Sequence, residues 1–390
     1  MDIAGRRLVV RAELNVPMAG GRVSDPTRIE RFADGMKPLI AAGASLVVLS
    51  HFGRPNGQRD PAASLRLVRD DLSRALGCPV RFAEIDAAGE EAARLEPGQV
   101  LLVENLRFDP GEARNDTDLA QHLASLGDLY VNDAFSCAHR AHASTEAVTR
   151  FLPAVAGPLL AGEMAALQTT LDTPTRPSVA IVGGAKVSSK IDVLTNLVGR
   201  VDHVIVGGGM ANTFLFAQGA PMGRSLHEAG EIATVARIMD LAAASGCTIH
   251  LPGDIVVARE FRAHAPTQTL PADACPEDAM ILDAGPASVA AFTKVLEASR
   301  TILWNGPLGA FEMPPFDAAT VALARVAADL TRGGCAVSVA GGGDTVAALN
   351  AAGVTGDFTY VSTAGGAFLE WLEGRTLPGI AALMRQNEEV

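Results

Sequence analysis

The length, composition and charge of this chain exclude several classes of protein. Its 390 residues, 48% of them hydrophobic and 19% charged, with a mean hydropathy of +0.21, are typical of a compact protein with two cores rather than of a disordered or fibrous one. The net charge of −12 argues against a general nucleic-acid or membrane-surface binder. No signal peptide and no run of roughly 18 apolar residues is recognised, so we expect a cytoplasmic protein.

Short β-branched runs alternate with segments of helical period along the whole chain. "RLVVRA" is followed by "TRIERFADGMKPLIAAG" and then by "SLVVLS". This alternation predicts an α/β fold of two Rossmann-like lobes, each a mainly parallel sheet flanked by helices. Prolines at 153, 158, 174 and 177 frame a segment that we expect to be a hinge helix joining the lobes. Five scattered cysteines without CxxC spacing predict neither a disulfide framework nor a zinc site.

Charged and polar side chains follow the predicted strands of the first half. They comprise Arg11, Glu13, Asn15, Arg28, His51, Arg54, Arg107, Arg140 and His142. Ligands of open parallel sheets collect beyond the carboxyl ends of the strands, and arginine forks suit phosphate and carboxylate. We therefore expect a small polyanion here. The alternative is that these are ordinary surface residues, since only four of the 32 basic residues are lysines.

Glycine-rich ends follow the predicted strands of the second half. They read "VAIVGG", "HVIVGGG", "TILWNG", "VSVAGGG" and "VSTAGG". Backbone N–H groups and helix N-termini that converge at one edge of a sheet suit a polyphosphate. The alternative is that glycine only permits tight strand-to-helix turns. Neither G-x-G-x-x-G nor G-x-x-x-x-G-K-[ST] is present, which disfavours a Walker site and a two-domain dehydrogenase.

The stretch "GGAKVSSK" carries two of the four lysines, Lys186 and Lys190. If both lie in the first turns of a helix, they share one face and oppose each other and the helix dipole. A nucleotide phosphate between them would reverse the sign of that interaction. Two solvated surface lysines are the alternative.

Nine motifs of this chain resemble those of the phosphoglycerate kinase family, in particular of its bacterial members, and they occur in the same order. They are "VRAELNVP", "SHFGRP", "ENLRF", "VNDAFSCAHRAHAS", "GGAKVSSKI", "GGGMANTF", "ILWNGPLGAFE", "GGGDTVAAL" and "STAGGA". The resemblance covers essentially the whole chain. It implies a domain at 1–157 that binds 3-phosphoglycerate or 1,3-bisphosphoglycerate, and a domain at 158–390 that binds ADP or ATP with Mg²⁺. The tail from about residue 375 is expected to pack on the first domain, and the protein to be a monomer whose hinge closes in glycolytic phosphoryl transfer.

The resemblance also implies the residues of the site. Substrate contacts are expected from Glu13, Asn15, Arg28, His51, Arg54, Arg107 and Arg140. Nucleotide contacts are expected from Gly184, Lys186, Lys190, Gly208, Gly209, Asn305, Glu312, Gly342, Gly343, Asp344 and Thr345. Asp344 is the expected Mg²⁺ ligand, whereas Arg28 and Lys186 are expected to stabilise the transferring phosphoryl group.

Three positions depart from the family pattern. Glu13 stands in place of an aspartate, Ser189 replaces another aspartate, and Ala364 replaces the first glycine of a triple. These departures leave open an alternative function, a catalytically weakened relative that acts as a binding or regulatory protein.

In the kinase reaction the attacking carboxylate is already ionised, so no general base is needed, and alignment and charge neutralisation suffice.

Overall fold

The computed structural model describes the backbone of residues 2–388 and the side chains up to residue 385. The chain divides into two compact units. The first contains the residues up to Glu163 together with those from Thr376 onward, and the second runs from Met164 to Arg375. The division thus falls at 163 rather than at the predicted 157. What each unit binds stays a prediction.

Seventeen strands are found in the described residues. In chain order they are β1 (Arg7–Arg11), β2 (Met18–Ala19), β3 (Arg22–Val23), β4 (Ser45–Leu49), β5 (Val80–Ala83), β6 (Val100–Val103), β7 (Leu129–Asn132), β8 (Ala154–Ala156), β9 (Ser178–Val182), β10 (His203–Val206), β11 (Thr248–His250), β12 (Asp254–Ala258), β13 (Thr267–Pro271), β14 (Met280–Ala284), β15 (Thr301–Asn305), β16 (Val337–Gly341) and β17 (Tyr360–Ser362).

Fourteen α-helices are found in the same residues. They are α1 (Thr27–Ala41), α2 (Arg69–Leu76), α3 (Ala88–Ala93), α4 (Pro110–Ala113), α5 (Thr117–Ala124), α6 (Pro158–Leu167), α7 (Ile191–Val198), α8 (Gly208–Ala217), α9 (Ile232–Ser245), α10 (Pro286–Ala298), α11 (Ala318–Arg332), α12 (Gly343–Ala352), α13 (Gly365–Leu372) and α14 (Pro378–Glu388). Helix α6 lies where the prolines predicted a connecting helix, and it carries the chain from the first unit into the second.

The sheet of the first unit is entirely parallel, with the strand order β5-β6-β4-β1-β7-β8. Every residue of β4, β6 and β7 is buried, as expected for strands covered on both faces by helices. Helix α1 packs Ile29, Phe32 and Met36 into this core. Pro38 lies within α1, and the helix continues past it to Ala41.

The main sheet of the second unit is also parallel, with the order β11-β10-β9-β15-β16-β17. Its core contains Trp304 and Phe358 in edge-to-face contact, with ring centroids 6.4 Å apart. A separate antiparallel sheet, β13-β12-β14, accompanies it. The predicted α/β architecture of two mainly parallel sheets is therefore confirmed. No helix within residues 2–388 is both long and apolar enough to cross a membrane.

Candidate active site

Both parallel sheets reverse their strand order at a central strand, and the predicted residues gather there. Strand β1 lies between β4 and β7, and strand β9 lies between β10 and β15. Such reversals leave a crevice beyond the carboxyl ends of the strands, where ligands of parallel sheets bind. We call the first group the cationic rim (Arg28, His51, Arg54, Arg107 and Arg140) and the second the glycine rim (183–184, 207–209 and 342–343).

Arg28 is oriented by the loop that follows β1. Its Nη1 atom donates to the Asn15 carbonyl oxygen at 2.7 Å and lies 2.7 Å from Glu13 Oε1. The Asn15 side chain in turn accepts a hydrogen bond from the Gly53 backbone N–H at 2.9 Å. Glu13 therefore reaches Arg28 with its longer side chain, and Asn15 links the loops that follow β1 and β4.

Three arginines of the cationic rim have no carboxylate partner among the residues described. Arg54 and Arg140 are exposed, and Arg140 Nε donates to His139 Nε2 at 3.0 Å. Arg107 is half-buried, and its Nη1 atom donates to the Gly53 carbonyl at 2.8 Å. Because these positive charges are not neutralised within the unit, they attract a multiply charged anion.

His51 is the neutral member of the cationic rim. It is only 6% exposed, and its Nδ1 atom lies 3.0 Å from Arg11 Nη2. Burial and the charges of Arg11, Arg107, His142 and Arg140 lower the pKa of His51 far below its usual value. The imidazole is therefore uncharged at neutral pH and can contribute a hydrogen bond, but not a charge, to an anion.

A cavity of about 530 Å³ opens beside the glycine rim. It lies in the second unit and brings together five predicted nucleotide residues that are far apart in sequence: Gly184, Gly208, Gly209, Glu312 and Asp344. Its volume falls within the range of roughly 300–1,000 Å³ that is usual for small-molecule sites. The position and size of the cavity suit a ligand with a flat apolar part and a charged end.

The apolar wall of this cavity is not predicted by the sequence. It includes Ala211, Leu226, Pro252, Ile255, Phe261, Met280, Leu282, Leu308 and Phe311. Of these, Phe261 is 62% exposed and Leu226 is 54% exposed. The sequence holds no signal for them, because an apolar residue that lines a cavity looks the same in sequence as one that fills a core.

The glycines of this rim serve two separate needs. A Cβ on Gly183 would lie 1.8 Å from the Pro307 carbonyl oxygen, and one on Gly209 would lie 2.4 Å from the Ala185 carbonyl oxygen. At these positions glycine allows two loops to pack closely. This agrees with the alternative interpretation, in which the glycines permit tight turns after the strands. A Cβ on Gly343 would meet no atom within 4 Å. The start of α12 at Gly343 is therefore open, and its first N–H groups lack intrahelical partners.

The expectation that both lysines lie in the first turns of a helix is wrong. Lys186 is exposed in an irregular loop, and Lys190 directly precedes α7. Glu228 holds that loop out of the helix, because its carboxylate accepts hydrogen bonds from the Ser188 N–H at 2.9 Å and the Ser188 hydroxyl at 2.5 Å. Burial opposes ionisation of Glu228, but the hydrogen bonds from Ser188 and Val187 and the charge of the nearby Lys186 lower the pKa of its carboxyl.

The ammonium group of Lys190 is hydrogen-bonded to protein oxygens. Its Nζ atom donates to the Gly183 carbonyl at 2.7 Å, the Asn305 carbonyl at 3.0 Å and Asn305 Oδ1 at 2.6 Å. Asn305 Nδ2 also donates to the Gly341 carbonyl at 2.8 Å, and the Thr345 hydroxyl accepts from the Gly306 N–H at 2.8 Å. These side chains therefore hold the ends of β9, β15 and β16 together beneath the glycine rim.

The cavity wall leaves out several predicted nucleotide residues. Within the described residues, those that do not line it are Lys186, Lys190, Asn305, Gly342, Gly343 and Thr345. Lys190, Asn305 and Thr345 act from behind the rim through their hydrogen bonds, whereas Lys186 and Gly343 are exposed beside it.

Asp344 is the group best suited to a divalent cation. It is exposed in the first turn of α12, lines the cavity, and makes no ion pair among the residues described. No cluster of three or more metal-ligating side chains occurs in the described residues. One free carboxylate beside the glycine rim fits Mg²⁺, which is usually held by one or two carboxylates together with substrate phosphates.

The other two departures from the family pattern have ordinary structural surroundings. Ala364 precedes α13 with a φ of −94°, so an L-residue fits there without strain. The Ser189 hydroxyl donates to the Lys186 carbonyl at 2.8 Å and closes a turn in the loop at 185–190, which we call the lysine loop. Neither substitution distorts the backbone near the glycine rim.

Comparisons with known proteins identify close relatives of this chain. The family model described as phosphoglycerate kinase matches residues 1–375. A phosphoglycerate kinase of Ruegeria pomeroyi is 57% identical over 388 residues, covering 99% of this chain and 98% of that protein. A phosphoglycerate kinase of Dinoroseobacter shibae is 59% identical over 384 residues, covering 98% of this chain and 97% of that protein.

Solved structures give the same result. The structure of phosphoglycerate kinase from Coxiella burnetii has a TM-score of 0.93 and 41% sequence identity, covering 100% of this chain and 98% of that one. The structure from Pyrococcus horikoshii has a TM-score of 0.82 and 29% identity, with coverage of 100% and 98%. The similarity therefore extends over both units and is not limited to the motifs.

Proposed function

This chain belongs to the phosphoglycerate kinase family, and from that premise we propose which of its residues carry the reaction. It is a glycolytic phosphotransferase that moves a phosphoryl group reversibly between 1,3-bisphosphoglycerate and ADP, giving 3-phosphoglycerate and ATP. Membership of this family excludes the dehydrogenase alternative. No specific observation favours the weakened relative.

In this proposal the first unit binds the phosphoglycerate through Glu13, Asn15 and the cationic rim. The arginines without carboxylate partners support it, because a substrate with a phosphate and a carboxylate supplies the missing negative charge. Neutral His51 adds a directional hydrogen bond. Glu13 acts through Arg28, whose guanidinium it orients at 2.7 Å.

The second unit binds the nucleotide in the same proposal. The observation that carries it is the cavity, which joins an apolar wall to Gly184, Gly208, Gly209, Glu312 and Asp344. We assign the wall to the base, Glu312 to the ribose, and the glycine rim with Gly342 and Gly343 to the phosphates. Lys190, Asn305 and Thr345 support these loops from behind.

Mg²⁺ enters the proposal together with the nucleotide. Asp344 would hold it, and the free, exposed carboxylate of that residue supports the assignment. When bound, Mg²⁺ neutralises charge on the nucleotide phosphates. Asp344 itself sits in the first turn of α12 and so brings a negative charge to the positive end of the helix dipole.

Phosphoryl transfer then needs positioning and charge rather than a base. The carboxylate of 3-phosphoglycerate is ionised at neutral pH, so no side chain has to remove a proton. Arg28 and Lys186 are the cations that we assign to the phosphoryl group in flight. Arg28 is half-buried and Lys186 is exposed, so both can be reached by a ligand at the surface of their units. Cations placed beside the charge that develops on the phosphoryl group lower the barrier to its transfer.

A kinetic test separates these assignments. Turnover of 3-phosphoglycerate with Mg-ATP is followed in a coupled assay for wild type, Lys186→Ala, Asp344→Asn and Phe261→Ala. We expect Lys186→Ala to lower kcat, Asp344→Asn to raise the Mg²⁺ requirement, and Phe261→Ala to raise KM for ATP only. Full turnover in Lys186→Ala would contradict its assignment to the phosphoryl group, and a Phe261→Ala effect on KM for 3-phosphoglycerate alone would contradict the assignment of the apolar wall to the base.

A cytoplasmic location and a monomeric state complete the proposal. Both accord with a glycolytic enzyme whose substrates are small molecules. Cell fractionation tests the first and analytical ultracentrifugation the second, and a dimer at assay concentration would contradict the monomer.

A further inference from the structure

Arg11 is a buried cation to which the proposed reaction gives no role. It ends β1, directly behind the cationic rim, and is 1% exposed. Its Nε atom donates to Ser144 Oγ at 2.9 Å, and its Nη1 atom donates to the Ala12 carbonyl at 2.5 Å. Its Nη2 atom lies 3.0 Å from His51 Nδ1 and 3.5 Å from Cys137 Sγ.

The contact between Arg11 and His51 decides which ring nitrogen carries the proton. A guanidinium has only donors, so the Nδ1 atom that faces it at 3.0 Å must be the acceptor. The Cys137 thiol, 3.7 Å from the same nitrogen, can donate or accept and so decides nothing. With Nδ1 unprotonated, the single proton of the neutral ring sits on Nε2.

The surroundings of His51 keep the ring in this one form. Nε2 makes no hydrogen bond among the described residues. Besides burial, the charges that lower the pKa of the ring are those of Arg11, Arg107, His142 when it is protonated, and Arg140. A second proton on the ring is therefore disfavoured. The Nε2–H thus lies among positive charges and has no acceptor within the part of the chain that the structure describes.

A buried network keeps Arg11 itself in place. The Ser144 hydroxyl that accepts from Arg11 donates to Glu112 Oε1 at 2.6 Å, and the Ser144 N–H donates to Glu112 Oε2 at 3.0 Å. The Tyr130 hydroxyl donates to the Ser144 carbonyl at 2.6 Å. Burial opposes ionisation of Glu112, but hydrogen bonds with His142 and Ser144 and the Arg11 charge hold the pKa of Glu112 below its usual range. The Arg11 charge is therefore compensated inside the unit.

We propose that Arg11 is a positioning residue that holds His51 as the Nε2–H tautomer, so that this N–H donates to an anionic oxygen of the bound phosphoglycerate. The donation step rests on the proposed function. In the opposite tautomer an Nε2 lone pair would face the anion and Nδ1–H would face the guanidinium, so both contacts would be repulsive. Arg11 thus acts on the substrate through the proton position of another residue.

Nitrogen NMR on the full-length protein reads the tautomer directly. With ¹⁵N-labelled histidine, the His51 signals are assigned by their loss in His51→Ala and recorded between about pH 5.5 and 8. We expect Nδ1 to give an unprotonated and Nε2 a protonated signal throughout. A wild-type ring protonated on Nδ1 overturns the inference, whatever the variants do.

Substitution of Arg11 tests the cause of that tautomer. In Arg11→Met we expect the two tautomers to mix and the ring to begin to titrate, while KM for 3-phosphoglycerate rises about tenfold and KM for ATP is unchanged. Arg11→Lys keeps a charged donor and should restore part of the Nε2–H population. Arg6→Met, at an exposed residue directly before β1, is the matched control. An Arg11→Met protein with an unchanged histidine spectrum and a raised KM would show a merely structural role and overturn the inference.

Two further measurements allow the result to be interpreted if Arg11→Met does not fold or if the substrate does not bind at His51. If Arg11→Met does not fold, the double variant Arg11→Met with Glu112→Gln removes the buried countercharge as well and is measured in its place. Saturating 3-phosphoglycerate should shift the Nε2 signal of the wild type. An Nε2–H ring that does not respond would overturn the placement of phosphoglycerate at His51, whereas a ring that responds but carries Nδ1–H would overturn only the role of Arg11.

Discussion

The two units share one architecture and offer opposite chemistry at the ends of their strands. Both have a six-stranded parallel sheet with a strand-order reversal at a central strand. The first presents long cationic side chains there, whereas the second presents backbone N–H groups on glycines and an apolar cavity. The fold therefore sets the place of a site, and the residues at the strand ends set its ligand.

The difference also affects how function and stability are coupled in each unit. An exposed arginine such as Arg54 can change without disturbing the core. Gly183 and Gly209 are packed against backbone oxygens, so at these two positions the second unit can alter its rim only by disturbing its own loops. We expect activity and stability to be separable in the first unit and linked in the second.

The largest effect is expected from Gly183→Ala. The new methyl group would lie 1.8 Å from the Pro307 carbonyl oxygen, so the loops after β9 and β15 must separate. We expect a loss of about 3 kcal/mol or more in the free energy of unfolding of the second unit, measured by urea denaturation. Gly343→Ala, whose methyl group meets no atom within 4 Å, is the matched control and should leave stability unchanged. Equal stability of the two variants would contradict the linkage.

Arg107→Met tests the first unit. It removes a cation without a carboxylate partner, so we expect KM for 3-phosphoglycerate to rise about a hundredfold, because a charge-assisted contact is lost. KM for ATP and the unfolding transition should stay close to wild type. Arg22→Met, an exposed arginine of β3, is the control. A rise in KM for ATP as large as the rise in KM for 3-phosphoglycerate would contradict the proposal that the two rims bind different ligands.

Substitutions of Glu13 are expected to have a smaller effect on kcat, and they distinguish the charge of the side chain from its length. Glu13→Gln keeps the length but weakens the 2.7 Å contact with Arg28, and we expect kcat to fall about fivefold, equivalent to about 1 kcal/mol for a partly exposed pair. Glu13→Asp keeps the charge, and the half-buried Arg28 can follow it, so its kcat should stay nearer to wild type. Steady-state kinetics in the coupled assay decides the point. A lower kcat in Glu13→Asp than in Glu13→Gln would show that length matters more.

An effect of similar size is a pH dependence from Lys190. Burial lowers the pKa of Lys190 to about 8, with the Asp344 charge opposing the shift. Between about pH 8 and 10.5 the unfolded chain binds more protons than the folded one at this residue, so its contribution to stability rises with pH across that window. We expect a gain of about 1 kcal/mol for wild type relative to Lys190→Met, after allowing for solvent screening. Thermal unfolding from about pH 7 to 10 measures it, and parallel curves for the two proteins would contradict the pKa.

Local patterns were sufficient for much of the fold and for part of the site. The alternation of buried strands and amphipathic helices is visible in segments such as 7–12 and 27–43, because hydrophobic period depends on neighbouring residues. Glycines after strands marked the rim for the same reason. The lysine loop was misassigned because Glu228, 40 residues away, holds Ser188 out of a helix, and no local pattern records that contact.

By itself, the sequence determined the family, the succession of elements and the residues that stand at each strand end, since all of these depend on the order of residues along the chain. Only the tertiary structure decided how they are used. Lys190 is hydrogen-bonded to Asn305, 115 residues further on, and the Nδ1 atom of His51 is hydrogen-bonded to Arg11, 40 residues before it. Hydrogen-bond partners and cavity walls come from segments that the fold brings together, and their choice depends on geometry that sequence distance does not contain.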